Sequence, residues 1–236
     1  RLLGNGSVTK AARKQFLNGC DVLEAIHGHP FIVGFHLHGK IGRVDYTLLE
    51  KVDGANLKLL ITRSDPILGE FVGNILIDMA VALEHMHDKG FIHLDFKPEN
   101  VLVTRAGDIR LVDFDLAQPM PKKPTRMPSN AGTPAYMSPE QLHQDPLDQR
   151  ADLFSYGVTA YELLTFRKPF TGDTPEAVLR KQLDEKFTVP PPRQFNEDIP
   201  IAVERIILKC LERDQDKRIP NAHVLVTQMQ QALYVK

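Results

Sequence analysis

The chain has 236 residues, 42% of them hydrophobic and 25% charged, enough to bury a full core as one domain or two closely joined lobes. A formal net charge of -1, with no long run of one sign, gives no compositional support to nucleic-acid or membrane-surface binding, so any function must rest on local charge. Cys20 and Cys210 form no CxxC spacing and follow no secretory leader, which predicts free thiols in a reducing, cytoplasmic setting; the longest apolar runs break at Asp78 and end at Glu84, short of the roughly 20 residues a membrane span needs.

In chain order, residues 8–26 place Phe16, Val22, Leu23 and Ile26 near helical spacing, with Gly28 and Pro30 as the stop. Phe31 to Leu37 and Val44 to Glu50 are β-prone runs separated by Gly39 and Gly42, predicting two adjacent antiparallel strands. Asp53-Gly54 breaks that pattern. Helical spacing returns from Asn56, and a long helix is predicted from about Leu68 to Asp88, closed by Lys89-Gly90. Val101–Val103 and Ile109–Val112 flank Ala106-Gly107-Asp108 as a hairpin, which delivers Asp113 beside Asn100. Residues 117–134, rich in proline and basic residues, predict a long loop of the functional kind. Helices are then expected from Ser138, over Asp152–Leu164 as a buried element, and over Thr174–Leu183, Ile201–Leu211 and Ala222–Ala232. The fold class is α+β.

The densest chemistry lies in Phe91–Val103. Asp95, Lys97 and Asn100 sit too close to Pro98 for a helix interior, so they share a short pinned loop. Taken alone, Asp95 or Asp113 is more often a helix cap or a turn residue. His27, His29, His36 and His38 form two HxH pairs without the ligand geometry of a metal site, and Lys122, Lys123 and Arg126 read as a solvated loop face.

The ordered set changes that weighting. His93-Leu94-Asp95 through Asn100, Asp113-Phe114-Asp115, Ser138-Pro139-Glu140, Asp152 with Ser155 and Gly157, and Arg218 together resemble the signatures of the eukaryotic-type Ser/Thr protein kinases, bacterial ones included. The resemblance implies a kinase-like fold, with residues 1–52 as a partial amino-terminal lobe and 53–236 as the carboxy-terminal lobe. It implies transfer of the ATP γ-phosphate to Ser/Thr hydroxyls of protein substrates, with ATP and Mg2+ as cofactors. Asp95 would orient the substrate hydroxyl and Lys97 steady the phosphate. Asn100 and Asp113 would hold the metal, and Thr133 would contact Asp95 and Lys97. Glu50 to Val52 would form the adenine hinge, Leu49 would sit behind the adenine and Leu102 beneath it, and Asn56 would join the nucleotide-binding set. Glu140 with Arg218 would be a structural ion pair, and Asp152 would accept backbone hydrogen bonds from the catalytic loop. Thr125, Ser129 and Thr133 are hydroxyls open to modification.

Several positions depart from the family pattern. The glycine-rich strand pair and the lysine strand have no counterpart in these residues, Gly4-Asn5-Gly6 being only a turn-like spacing, and a fragment is expected. The first helix carries Gly19, or Cys20 if shifted by one, where a glutamate would pair with that lysine. Asp21 and Glu24 lie roughly 200° and 140° around the helix from Gly19 and cannot replace it. Leu94 stands for the arginine before the catalytic aspartate, so loop phosphorylation should matter less. Asp115 stands for a glycine. A pseudokinase-like binding or scaffolding module with weak or no phosphotransfer is the alternative these departures support.

Overall fold

A computed structural model describes residues 2–3, 9–42, 44–127 and 131–234. The Gly4–Gly6 spacing and Ser129 lie outside the described residues.

Helix α1 spans Lys10–Ile26 and starts where the Thr9 hydroxyl accepts from Ala12 N. Its buried face holds the apolar stripe read from the sequence, Phe16, Val22, Leu23 and Ile26, and adds Gly19 and Cys20. Two strands follow, β1 (Phe35–Ile41) and β2 (Val44–Leu49), paired antiparallel with Phe35 opposite Leu49 and Ile41 opposite Val44.

The first strand is displaced from its predicted span of 31–37. Residues 31–33 run beside Leu111 instead: Leu111 N donates to Phe31 O and Val33 N to Leu111 O. Nor does Gly39 separate the strands. It lies within β1 opposite Tyr46, where an added Cβ would stand 2.9 Å from the phenol oxygen. Lack of a side chain there makes room for a cross-strand ring, and Gly42 alone serves the turn.

Strand β3 (Gly54–Asn56) leads into α2 (Leu57–Arg63), which Asn56 caps by accepting from Leu59 N at 2.8 Å. The long helix α3 runs Pro66–Asp88, capped by Asp65 with proline in the first turn. By length and composition alone α3 could cross a membrane. Its packing is that of a core helix: Ile75, Met79, Ala80, Leu83 and Met86 are fully buried, and the Tyr156 hydroxyl donates to the Leu76 carbonyl.

After β4 (Phe91–Ile92) comes the hairpin of β5 (Val101–Thr104) and β6 (Ile109–Leu111), to which β3 adds as a third antiparallel strand on β5. The 117–134 loop begins with β7 (Gln118–Pro119) paired to β4, and touches back where Thr125 and Leu147 exchange backbone bonds. Helix α4 (Pro139–His143) opens with a capping box in which Ser138 and Gln141 satisfy each other's end groups.

Helix α5 (Arg150–Thr165) is buried from Ala151 through Thr165, as a helix enclosed on every side must be. Helix α3 packs on it, as does α7 (Ile201–Cys210), while α8 (Ala222–Tyr234) packs on α3 and α7, and α6 (Pro175–Leu183) packs on the 134–136 turn. Both cysteines are buried thiols, joined in no disulfide.

Candidate active site

Three segments meet at Asp95. The first is the loop between β4 and β5, which leaves the core through two backbone bonds to one carboxylate. Asp152, at the start of α5, accepts from His93 N and Leu94 N, both at 2.8 Å, and from His87 Nε2 at 2.9 Å. Leu94 adopts a left-handed backbone at φ 64°, a conformation strained for a branched residue. Its amide is held by Asp152, and its carbonyl accepts from Gln141 Nε2 at 3.1 Å. The sequence marks Gln141 only as a helix start; its reach to residue 94 is a tertiary contact.

His93 is fully buried, and burial pushes its imidazole below the usual histidine range, against the pull of Asp152, Asp95 and Asp113. The neutral ring accepts from Asp95 N through Nδ1 at 3.3 Å, which orients the loop.

The second segment is residues 131–137. Thr133 N and its hydroxyl both donate to Asp95 Oδ1, at 2.9 and 3.0 Å, while Lys97 Nζ donates to Asp95 Oδ2 and to Thr133 Oγ1, each at 2.6 Å. Asp95, Lys97 and Thr133 therefore form a closed triangle of charge-assisted bonds. Asn100 Nδ2 donates to the Asp95 carbonyl at 2.9 Å, which commits the amide nitrogen and leaves the amide oxygen as the donor atom for a cation.

The third segment follows β6. Val112 N donates to Asn100 O at 2.9 Å, so Asp113 stands beside Asn100. Asp113 has φ 66°, and Phe114 is buried with its ring 5.5 Å from that of His93. A carboxylate after the end of β6 and an amide oxygen in the turn before β5 are the hard oxygen donors that suit a small divalent cation. A cavity of about 200 Å³ lies behind them, lined by Gly19, Cys20, Thr47, Leu49 and Phe114 among others.

The residues expected to meet the nucleotide lie at the end of β2, in the stretch that follows it and on β5. Leu49 ends β2 and lines that cavity. The Glu50 carboxylate bonds Arg110 Nε at 2.9 Å, and its N–H is committed to the Gly34 carbonyl at 2.8 Å. Val52 is half-buried and packs on the core. Leu102 faces away from the core side occupied by Val101 and Val103 and is half-buried. Asn56 spends its side chain on the α2 cap, a structural use that the family resemblance did not suggest.

The departures in α1 and at residue 115 are one feature. A Cβ on Gly19 would stand 2.3 Å from Asp115 Oδ1 and 3.0 Å from Asp115 N, so the Asp115 carboxylate fills the space beside the helix where residue 19 has no side chain. Neighbouring Asn18 ties the same segment down, donating to the Asp115 and Ala117 carbonyls at 3.3 and 2.9 Å. Cys20 points the other way, its Sγ 2.8 Å from Thr47 Oγ1, whereas Asp21 and Glu24 are exposed.

Gly19→Ala should therefore behave unlike an ordinary helix substitution, which would gain about 0.8–1 kcal/mol. Here we expect a net loss of about 1–2 kcal/mol from overpacking, smaller in an Asp115→Gly background, where the backbone of residue 115 still stands 3.0 Å from the added Cβ. Urea unfolding of the four proteins measures this, and an equal loss in both backgrounds would disprove the steric coupling.

Leu94 joins Ile92, Leu147 and Ala151 in a small apolar cluster against which Met120 and Met127 pack. The 117–134 loop is thus held at this point by apolar contact. Lys122, Lys123 and Arg126 are exposed, and Arg126 lies 4.0 Å from Asp145.

The chain is similar to known proteins along most of its length. The protein kinase domain family matches residues 4–234. A probable serine/threonine-protein kinase of Streptomyces coelicolor is 37% identical over 201 residues, covering 82% of this chain and 30% of the relative. One from Clostridium acetobutylicum is 33% identical over 199 residues (84% and 30%), and the serine/threonine-protein kinase PknB of Mycobacterium leprae is 32% identical over 200 residues (82% and 32%). The chain spans about a third of the length of the curated relatives it matches.

Proposed function

Because the chain belongs to the protein kinase family, we propose that it forms the catalytic portion of a Ser/Thr kinase, transferring the γ-phosphate of ATP to hydroxyls of protein substrates. The observation that carries the reading is the Asp95–Lys97–Thr133 triangle, in which a cation and a hydroxyl fix both oxygens of one carboxylate.

Phosphoryl transfer needs little covalent help and much positioning. Asp95 accepts a hydrogen bond from the substrate hydroxyl and directs its lone pair at the phosphorus. Lys97, already beside that carboxylate, offers its charge to the oxygens of the transferred group. Thr133 keeps both in register and places residues 134–137 where a substrate backbone would lie. Asn100 and Asp113 are the groups that would hold Mg2+, which supplies charge neutralisation on the phosphates when bound. The Glu50 carbonyl and the Val52 backbone would meet the adenine, between Leu49 behind and Leu102 below. Residues 1–52 then act as the nucleotide-side part and 53–236 as the part that carries the transfer groups.

In the intact protein with ATP and Mg2+, Asp95→Asn should lower kcat on a protein substrate by about 10²–10⁴ with KM for ATP little changed. Transfer that survives this change at full rate would overturn the proposal. A second reading, a nucleotide-sensing binding module, draws on Gly19 and Cys20, which present no carboxylate to the cavity. Thermal stabilisation by ATP and Mg2+, lost in Asp113→Asn, with no phosphate transferred, would favour it.

A further inference from the structure

Helix α6 buries a glutamine where an amphipathic helix would bury an apolar side chain. Gln182 is fully buried, while the rest of the helix is half-buried or exposed. Its Nε2 donates to the Met137 carbonyl and, at 3.4 Å, to that of Pro134; its Oε1 has no hydrogen-bond partner among the described residues. An unpartnered buried oxygen is a cost that leucine would not carry, and what offsets it is the pair of bonds to residues 134 and 137. Those residues need outside help. The 134–136 turn opens on Pro134, which has no N–H, and closes through Tyr136 N on Thr133 O at 2.9 Å and Met137 N on Pro134 O at 3.2 Å. Two helices supply the rest: Ser155 Oγ on α5 donates to Tyr136 O at 2.8 Å, and Gln182 on α6 holds residues 134 and 137. Just ahead of the turn, Thr133 touches both Asp95 and Lys97. Helix α6 is itself braced where Gln182 leaves it, for Arg213 Nε donates to Gln182 O at 3.0 Å and Nη2 to Lys181 O at 2.9 Å, satisfying carbonyls at the helix end.

We propose that Gln182 is a positioning residue for the protein substrate, an amide latch by which α6 holds the 134–137 segment where the substrate backbone meets the acceptor site beside Asp95. This rests on the phosphotransfer reading of the same cleft. Gln182 touches neither the substrate nor the reacting atoms; it acts through the carbonyls of Pro134 and Met137. Without the amide the Met137 carbonyl must turn to another donor, and residues 134–137 shift with it. The bonds of Thr133 to Asp95 and Lys97 are independent of Gln182 and keep the transfer groups in register. The effect therefore falls on binding of the protein substrate, and not on ATP or on the transfer step.

The test uses the intact protein, ATP with Mg2+, and a serine peptide that the wild type phosphorylates. Gln182→Leu should raise KM for the peptide about tenfold, with kcat and KM for ATP within about twofold of wild type. Gln182→Asn, which keeps the amide and withdraws it by one methylene, should do the same, because the loss follows reach and not polarity. A wild-type peptide KM in either variant overturns the proposal, as does a rise in KM for ATP that matches the rise for the peptide. Amide hydrogen exchange reads the latch without turnover. The N–H groups of Tyr136 and Met137 should exchange about tenfold faster in both variants while those of α5 keep the wild-type rate. Unchanged exchange at 136 and 137, or acceleration throughout α5, overturns it. Local acceleration in a protein whose wild type transfers no phosphate supports the latch and counts against the phosphotransfer reading alone.

Discussion

Asp152→Ala should lower the folding free energy by about 3–5 kcal/mol and remove turnover from whatever remains folded. The carboxylate is fully buried and serves three donors at once: His93 N, Leu94 N and His87 Nε2. Alanine strands two backbone amides in the core and releases the strained left-handed Leu94, the hinge on which Asp95 is carried. Asn offers one acceptor oxygen in place of two, so its loss should be intermediate. Burial opposes ionisation of Asp152, but the hydrogen bond and charge of His87 and the hydrogen bond from the His93 amide outweigh it and hold the carboxyl below its ordinary value. A folded-state pKa lower than the unfolded one means the stabilisation is complete above about pH 4 and is lost as the pH falls through the folded value. Urea midpoints between pH 3 and 7 check both points: wild type should lose an acid-dependent increment that Asp152→Asn lacks. Equal acid sensitivity in the two proteins would refute the assignment.

Arg218→Lys should cost nearly as much as Arg218→Ala, about 3–5 kcal/mol. Arg218 is buried and every guanidinium N–H bond is used. Nε donates to Glu212 O; Nη1 to Glu140 Oε1 and Arg150 O; Nη2 to Glu140 Oε2 and Arg213 O. The two bonds to Glu140, at 2.5 and 2.6 Å, tie the end of the 117–140 segment to the loop after α7. An ammonium on a flexible stem cannot reproduce five fixed directions. Paired replacement, Arg218→Met with Glu140→Leu, should recover much of the loss, because neither buried charge is then left alone. Thermal unfolding of these variants beside the wild type decides it: a double variant no more stable than Arg218→Met would mean that the carbonyl contacts, not the charge pair, dominate.

The pinned loop around Pro98, the β5–β6 hairpin and the buried helix α5 were legible because each is coded locally. Pro98 pins its own turn, Gly107 marks the hairpin, and an apolar run with no polar face can only be enclosed. The relation of Asn100 to Asp113 followed from the hairpin length. What could not be read was set by side chains distant in sequence. Gln182 and Met137 are 45 residues apart, and Asn18 reaches residues 97 and 99 positions away. The altered residues at 19 and 115 were visible one by one as departures, yet only their contact shows that they fit each other. The start of β1 was misplaced for a related reason: residues 31–33 are β-prone, but Leu111 offers them backbone partners that periodicity does not reveal.

Among the described residues the β1–β2 sheet has two principal strands, touched at one bridge by Leu2 opposite Tyr46, and it exposes Leu37, Ile41 and Leu48. Two-stranded sheets hold few buried contacts, so this unit should open at a lower free energy than the helical core around α5. Amide hydrogen exchange would then divide the molecule in two: slow protons on α3 and α5, set by global unfolding, and faster ones on β1 and β2, set by local opening. Since Leu49 and the Glu50–Val52 segment continue from β2, a nucleotide bound there would slow exchange in the sheet far more than in the core. Its binding would be paid partly in ordering that sheet, which makes affinity for the nucleotide a measure of how well this small sheet is held.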